Sequence, residues 1–104
     1  MRASKRDKLA GRGWKFGDAA EFLGLSAEEE SLIRLRLKLA EGLKDRRVRK
    51  RLTQVELAKA VNSSQSRVAK MEAGDPTVSI DLLVRSLIAL GASNSDLAKI
   101  ITAS

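Results

Sequence analysis

Residues 52–74 read Leu-Thr-Gln-Val-Glu-Leu-Ala-Lys-Ala-Val-Asn-Ser-Ser-Gln-Ser-Arg-Val-Ala-Lys-Met-Glu-Ala-Gly, and this stretch decides the fold. Thr53 stands where it caps a run Gln54–Ala60, with Leu57, Ala58 and Val61 turned inward. Ser63 or Ser64 caps a second run to about Glu72, with Val68 and Met71 inward, and Gly74 ends it. The connection Val61–Ser63 is too short for antiparallel packing, so the two helices must cross steeply. Ala58 is small where they approach, and Asn62 falls where the turn needs a positive φ, which Asn tolerates better than other non-glycine residues.

On either side the pattern stays helical. Ser26 with Glu29 has capping-box spacing and opens a segment with Glu28, Glu29 and Glu30 at its positive end. No proline interrupts the chain from there to about Lys50, and only Gly42 weakens it. Ile33–Leu39 alternates apolar and basic residues with a strand-like period. The preceding capping box and the stripe Leu32, Leu35, Leu39, Leu43 decide for helix, and Ile33, Leu37 and Ala40 form a second apolar stripe. Further on, Thr77 or Ser79 starts a helix in which Ile80, Leu83, Val84, Leu87 and Ile88 keep helical spacing until Gly91. A last short helix, Ser95–Thr102, is expected to be capped by Asn94 or Ser95 and presents Leu97, Ile100 and Ile101.

Composition narrows the function. The chain has 104 residues, 20 Lys+Arg against 13 Asp+Glu, a formal net charge of +7 and 43% hydrophobic residues. A small basic globule points to a polyanionic partner, with nucleic acid first. Neither Cys nor His is present, which removes disulfides, the usual metal ligands and the commonest general base. No metal, no cofactor and no enzyme activity are expected. No apolar run approaches a membrane span and no signal peptide is visible, so a cytoplasmic location is expected.

The positive charge is concentrated. Residues 1–17 carry six basic groups against Asp7, and Lys44–Arg51 carries six against Asp45, so the rest of the chain is net negative. The expected organisation is a mobile basic arm over 1–17, an extension over 18–42, and the main helical domain over 43–104. In the extension, Asp18 with Glu21 has capping-box spacing, Ala19, Phe22 and Leu23 share an apolar face, and Gly24 ends the turn.

A helix-turn-helix makes each of the demands met by residues 52–74. The sequence resembles the Xre/Cro family of helix-turn-helix repressors, the phage lambda repressor-like domains, over about Leu43 to Gly91. The carrying motifs are the Leu-Thr-Gln-x-Glu-Leu-Ala run at Leu52–Ala58 and the Ser-Gln-Ser-x-Val-x-x-Met-Glu-x-Gly run at Ser64–Gly74. The resemblance implies an all-α, five-helix lambda-repressor-like domain, here preceded by a short helix and the basic arm. It also implies that Gln65 reads adenine through its amide, with Ser66 and Lys70 as further base readers on the same exposed face. Gln54 would reach a phosphate and brace Gln65, and Ser64 and Arg67 would hold phosphates. Plain helix capping is the alternative reading of Gln54, Ser63 and Ser64, weighed below the functional one.

Arg47 opposite Glu72 is implied to be a buried structural ion pair, which leaves Arg46, Lys50 and Arg51 as phosphate candidates. Two positions depart from the family pattern. Arg51 replaces a glycine common before Leu-Thr-Gln, and Asp75 puts an acid in the loop after the second helix, leaving Thr77 or backbone N–H groups to make any contact there. The partner implied is palindromic double-stranded DNA bound by a homodimer, since one recognition helix makes few base contacts. Leu97, Ile100 and Ile101 are candidates for the dimer seam.

The stretch Gly-Asp-Ala-Ala-Glu-Phe-Leu-Gly-Leu-Ser at Gly17–Ser26, followed by a long helix, also resembles small HigA-type antitoxins. That likeness implies a RelE-like ribonuclease toxin as partner and autoregulation of the operon, with Trp14, Phe16, Phe22 and the outer stripe of the long helix as toxin or dimer contacts. For Phe22 and Leu23, capping of the core is the favoured reading. RNA binding fits the charge but lacks the aromatic stacking platforms that single-stranded recognition uses.

Overall fold

A computed structural model describes Gly24 and residues 26–103. Among them are five α-helices and no strand: α1 (Ala27–Arg49), α2 (Gln54–Ala60), α3 (Gln65–Glu72), α4 (Ile80–Ala89) and α5 (Asn94–Thr102). The expected arm, the Asp18–Glu21 cap, the apolar face of Phe22 and Leu23, and the contacts at Trp14 and Phe16 all lie outside the described residues.

The chain divides between Leu32 and Ile33 into two units. In the first, Gly24 adopts φ +73° in a turn, and Ser26 and Glu29 form the expected capping box. The Ser26 N–H donates to Glu29 Oε1 at 2.9 Å, and the Glu29 N–H donates to Ser26 Oγ at 3.1 Å. Those hydrogen bonds hold the Glu29 carboxyl below the ordinary carboxylate range.

The second unit holds the core. Leu39, Ala40 and Leu43 of α1, Leu57 and Ala58 of α2, and Val68 and Met71 of α3 are buried together with Leu83 and Leu87 of α4. The strand-like alternation at Ile33–Leu39 is thus resolved as helix, with Leu35 and Leu39 turned to the core. The expected boundary between residues 42 and 43 falls inside α1, and Leu39 and Ala40 on its upstream side are core residues. Val78, in the loop before α4, is also in the core, and its carbonyl accepts from Arg36 Nε at 3.2 Å.

Four helix ends close in the same way. After α1, the Arg51 N–H donates to Val48 O at 2.9 Å and the Leu52 N–H to Arg47 O at 3.1 Å. This is the Schellman pattern, which places a left-handed residue just past the helix. Asn62, Gly74 and Gly91 fill that position after α2, α3 and α4, and Asn62 has the positive φ expected of it, +55°. Arg51 fills it after α1 with φ +59°. The missing glycine therefore leaves the helix end unchanged, and an L-residue carries the strain.

One cap in the C-terminal half differs from expectation. Ser79 caps α4, as one of the two alternatives held, but α5 is capped by Ser93, and neither Asn94 nor Ser95 serves. Ser93 and Asp96 exchange both capping-box bonds, Ser93 N–H to Asp96 Oδ2 at 2.9 Å and Asp96 N–H to Ser93 Oγ at 3.1 Å. Ile88 is 54% exposed, because α4 turns Leu83, Ser86 and Leu87 inward instead. Leu97 and Ile100 pack against the protein's own core, which leaves Ile101 as the exposed residue of the three proposed for a dimer seam.

Gly42 has a tertiary reason: a Cβ there would lie 2.9 Å from both Ile100 Cδ1 and Cγ2. The small residue that weakens α1 lets α5 lie against it. Two polar ties reinforce that packing, Arg46 to Asp96 at 3.2 Å and Lys38 Nζ to the Ile101 carbonyl at 3.0 Å. Buried Ser86, which the sequence did not mark out, is satisfied by donating to Leu82 O at 2.8 Å.

Candidate nucleic-acid interface

The interface is built on α2 and α3, which pack directly on each other. Thr53 caps α2 with a full capping box: its N–H donates to Glu56 Oε1 at 2.8 Å, and the Glu56 N–H donates to Thr53 Oγ1 at 3.1 Å. Ser64 caps α3 by accepting from the Arg67 N–H at 3.1 Å. With both ends anchored and Val68 and Met71 buried, the outer face of α3 is fixed in direction. Ser64, Gln65, Ser66, Arg67 and Lys70 are all exposed on it.

Ser64, Ser66, Arg67 and Lys70 line one side of a groove of about 260 Å³ whose other side is Thr77 and Val78. Three of the predicted DNA-facing side chains other than Gln65 thus meet there with the cap residue. Thr77 spends both its donors on Asp75 Oδ1, the N–H at 2.8 Å and the hydroxyl at 2.6 Å. Both donors of Thr77 are thus committed to Asp75, and the other alternative held for that loop, its further backbone N–H groups, remains. The two Thr77 bonds, with the nearby charges of Lys70 and Arg36, hold the Asp75 carboxyl below its ordinary value. Asp75 is a fixed negative charge at the groove's edge.

Behind the exposed face runs a polar chain. Arg47 Nε donates to Glu72 Oε2 at 2.5 Å and its terminal nitrogens to Glu72 Oε1 at 3.0 Å and Leu52 O at 2.8 Å. The two side chains are only 13% and 4% exposed. The Glu72 bond holds Arg47 protonated even more firmly than usual. Gln54 Nε2 donates to Glu72 Oε1 at 3.2 Å, and Gln65 Nε2 donates to Gln54 Oε1 at 2.9 Å. Both the ion pair and the Gln54–Gln65 brace are present as the sequence resemblance implied.

Lys50, Arg51 and Arg67 are exposed and make no ion pair among the described residues. Arg46 is different. Its side chain is 16% exposed and committed to Asp96, so it ties α1 to α5 and does not face solvent as a phosphate ligand must. The acid that takes it, Asp96, is also the partner of Ser93 in the α5 capping box.

The chain belongs to the helix-turn-helix domain family, whose model matches residues 38–100. No characterised protein and no solved structure gives a match. A helix-turn-helix domain implies DNA as a partner and is typically non-enzymatic. Among the described residues no group of acidic side chains is arranged to hold a metal ion, and no helix is long and apolar enough to cross a membrane.

Proposed function

We propose that this chain is a sequence-specific transcription regulator, a repressor of the Xre type, that reads duplex DNA with α3 in the major groove. The observation that carries the proposal is the exposed row Gln65, Ser66 and Lys70 on a helix whose opposite face is locked into the core. Gln65 offers an amide to adenine, Lys70 a donor to guanine, and Ser66 a hydroxyl to either. Lys50, Arg51 and Arg67 supply phosphate contacts. Ser64 still has its hydroxyl proton to give to a phosphate, because its oxygen serves as the cap. The N–H groups of Gln54 and Val55 open α2 beyond the reach of the helix's own carbonyls and favour an anion.

Three side chains reading a few bases give modest discrimination, so the functional unit is a homodimer on a palindromic site with half-sites about one helical turn apart. Ile88 and Ile101 are the large apolar side chains that α4 and α5 leave uncovered for a seam. Selection of bound sites from random duplex, repeated with Gln65→Ala and Lys70→Ala, tests the reading. Each variant is expected to lose preference at a different base position. Unchanged preference in both, or a strict monomer on palindromic DNA in a sedimentation run, overturns it.

A further inference from the structure

The hydrogen bonds behind α3 converge on Glu72: Arg47 donates to it directly, and Gln65 donates to Gln54, which in turn donates to it. A carboxylate can only accept, and the Glu72 carboxylate, 4% exposed, accepts from Arg47 at 2.5 Å. Gln54 must therefore turn its NH₂ toward Glu72, as it does at 3.2 Å, which leaves its oxygen facing outward. An amide oxygen also only accepts, so Gln65 must turn its own NH₂ toward Gln54, as it does at 2.9 Å. One N–H and the carbonyl oxygen of Gln65 remain for a base edge, in a fixed left-to-right order. Adenine presents one donor and one acceptor in a fixed order too, so an amide free to flip would match it only part of the time.

We propose that the Arg47–Glu72 ion pair, acting through Gln54, sets the orientation of the Gln65 amide and so sets the base preference of α3. The proposal rests on the reading of α3 as the recognition helix. Glu72 and Arg47 are thus positioning residues: they lie too deep to touch DNA, yet they decide what Gln65 asks of it. If Glu72 becomes an amide, either polarity is accepted at each link, Gln54 can flip, and Gln65 can flip with it. Affinity for the duplex backbone is unaffected by that loss, because phosphate contacts carry no sequence information.

The test is selection of bound duplex sites by the full chain and by Glu72→Gln, Gln54→Met, Gln65→Ala and the two doubles that combine Gln65→Ala with each of the others. Folding of each is checked by circular dichroism. Gln54→Met cuts the relay while leaving the Arg47–Glu72 pair intact, so it keeps the test decisive should Glu72→Gln unfold. Where the Gln54 side chain also holds a phosphate, its replacement weakens binding equally on every sequence and leaves the preference ratio untouched.

The expected result is that Gln65→Ala identifies one base position, and that Gln54→Met and folded Glu72→Gln each reduce preference at that position by at least about fivefold. In the Gln65→Ala background neither substitution should change preference further. If Gln65→Ala alters preference but folded Gln54→Met does not, the relay is refuted and the recognition helix stands. A change that persists without Gln65 refutes it as well. Should Gln65→Ala leave every position unchanged, the relay is refuted because it has no base contact to set, and the reading of α3 then rests on Lys70→Ala.

Discussion

Arg51→Gly should make the protein more stable and bind DNA less well. The backbone at Arg51 has φ +59°, and its N–H and that of Leu52 close the end of α1. An L-residue in that conformation is strained by about 1–2 kcal/mol. Glycine removes the strain but adds about 0.5–1 kcal/mol of unfolded-chain freedom. The net gain is about 0.5–1 kcal/mol, which for a domain of this size raises Tm by roughly 2–8 °C. Thermal unfolding followed by circular dichroism measures it.

Loss of charge in the basic segment Lys44–Arg51 pushes in the same direction, so Arg51→Ala is the necessary control. Alanine removes the charge and keeps the Cβ, so its Tm should stay below that of the glycine variant by the strain released. In both variants the slope of log K against log salt should fall by about 0.9, the share of one phosphate contact. Equal Tm values for the Gly and Ala variants would refute the strain argument. An unchanged salt slope would remove Arg51 from the phosphate set.

Gly42→Ala brings a methyl group to 2.9 Å from Ile100, so α5 must shift, and stability should fall by about 1–3 kcal/mol in a denaturant titration. In an Ile100→Ala background the same change should be neutral or stabilising. Arg47→Met strands the Glu72 carboxylate, 4% exposed, without its cation and should cost about 3 kcal/mol or more, again read from denaturant unfolding. Glu29, Glu56 and Asp96 each have a pKa depressed by the capping hydrogen bonds of Ser26, Thr53 and Ser93. Groups depressed in the folded state stabilise it above their unfolded values and lose that contribution as the pH falls below about 4. Tm should therefore drop on acidification through that range, and less steeply in Asp96→Asn.

Much of the fold was legible in the sequence because local chemistry and global architecture agree. Thr53 with Glu56, and Ser64 with the inward Val68 and Met71, mark two helices on either side of Asn62, and the structure adds the bonds that those residues imply. What escaped depended on neighbours distant in sequence. Asn94 and Ser95 are as good a pair of caps as Ser93, and the spacing of Ser93 to Asp96 distinguishes them only when the acid at the third position is weighed. Gly42 reads as a weakness in α1 unless Ile100 is known to lie against it. Arg46 sits in the most basic segment of the chain, and only Asp96 of α5 explains why it turns away from solvent. Leu97 and Ile100 have the spacing of an exposed seam and of a docked helix alike, and periodicity does not tell them apart.

The packing of Ile100 at Gly42, the Arg46–Asp96 pair and the Lys38 bond to Ile101 all anchor α5 to α1, and α5 itself has no buried residue. The α2–α3 pair is held by its own buried side chains, Leu57, Ala58, Val68 and Met71. The C-terminal helix can consequently detach as a local opening without dismantling the reading head. Its amides should exchange with solvent deuterium ahead of those of α3, and a molecule that has let go of α5 still presents Gln65, Ser66 and Lys70 in register.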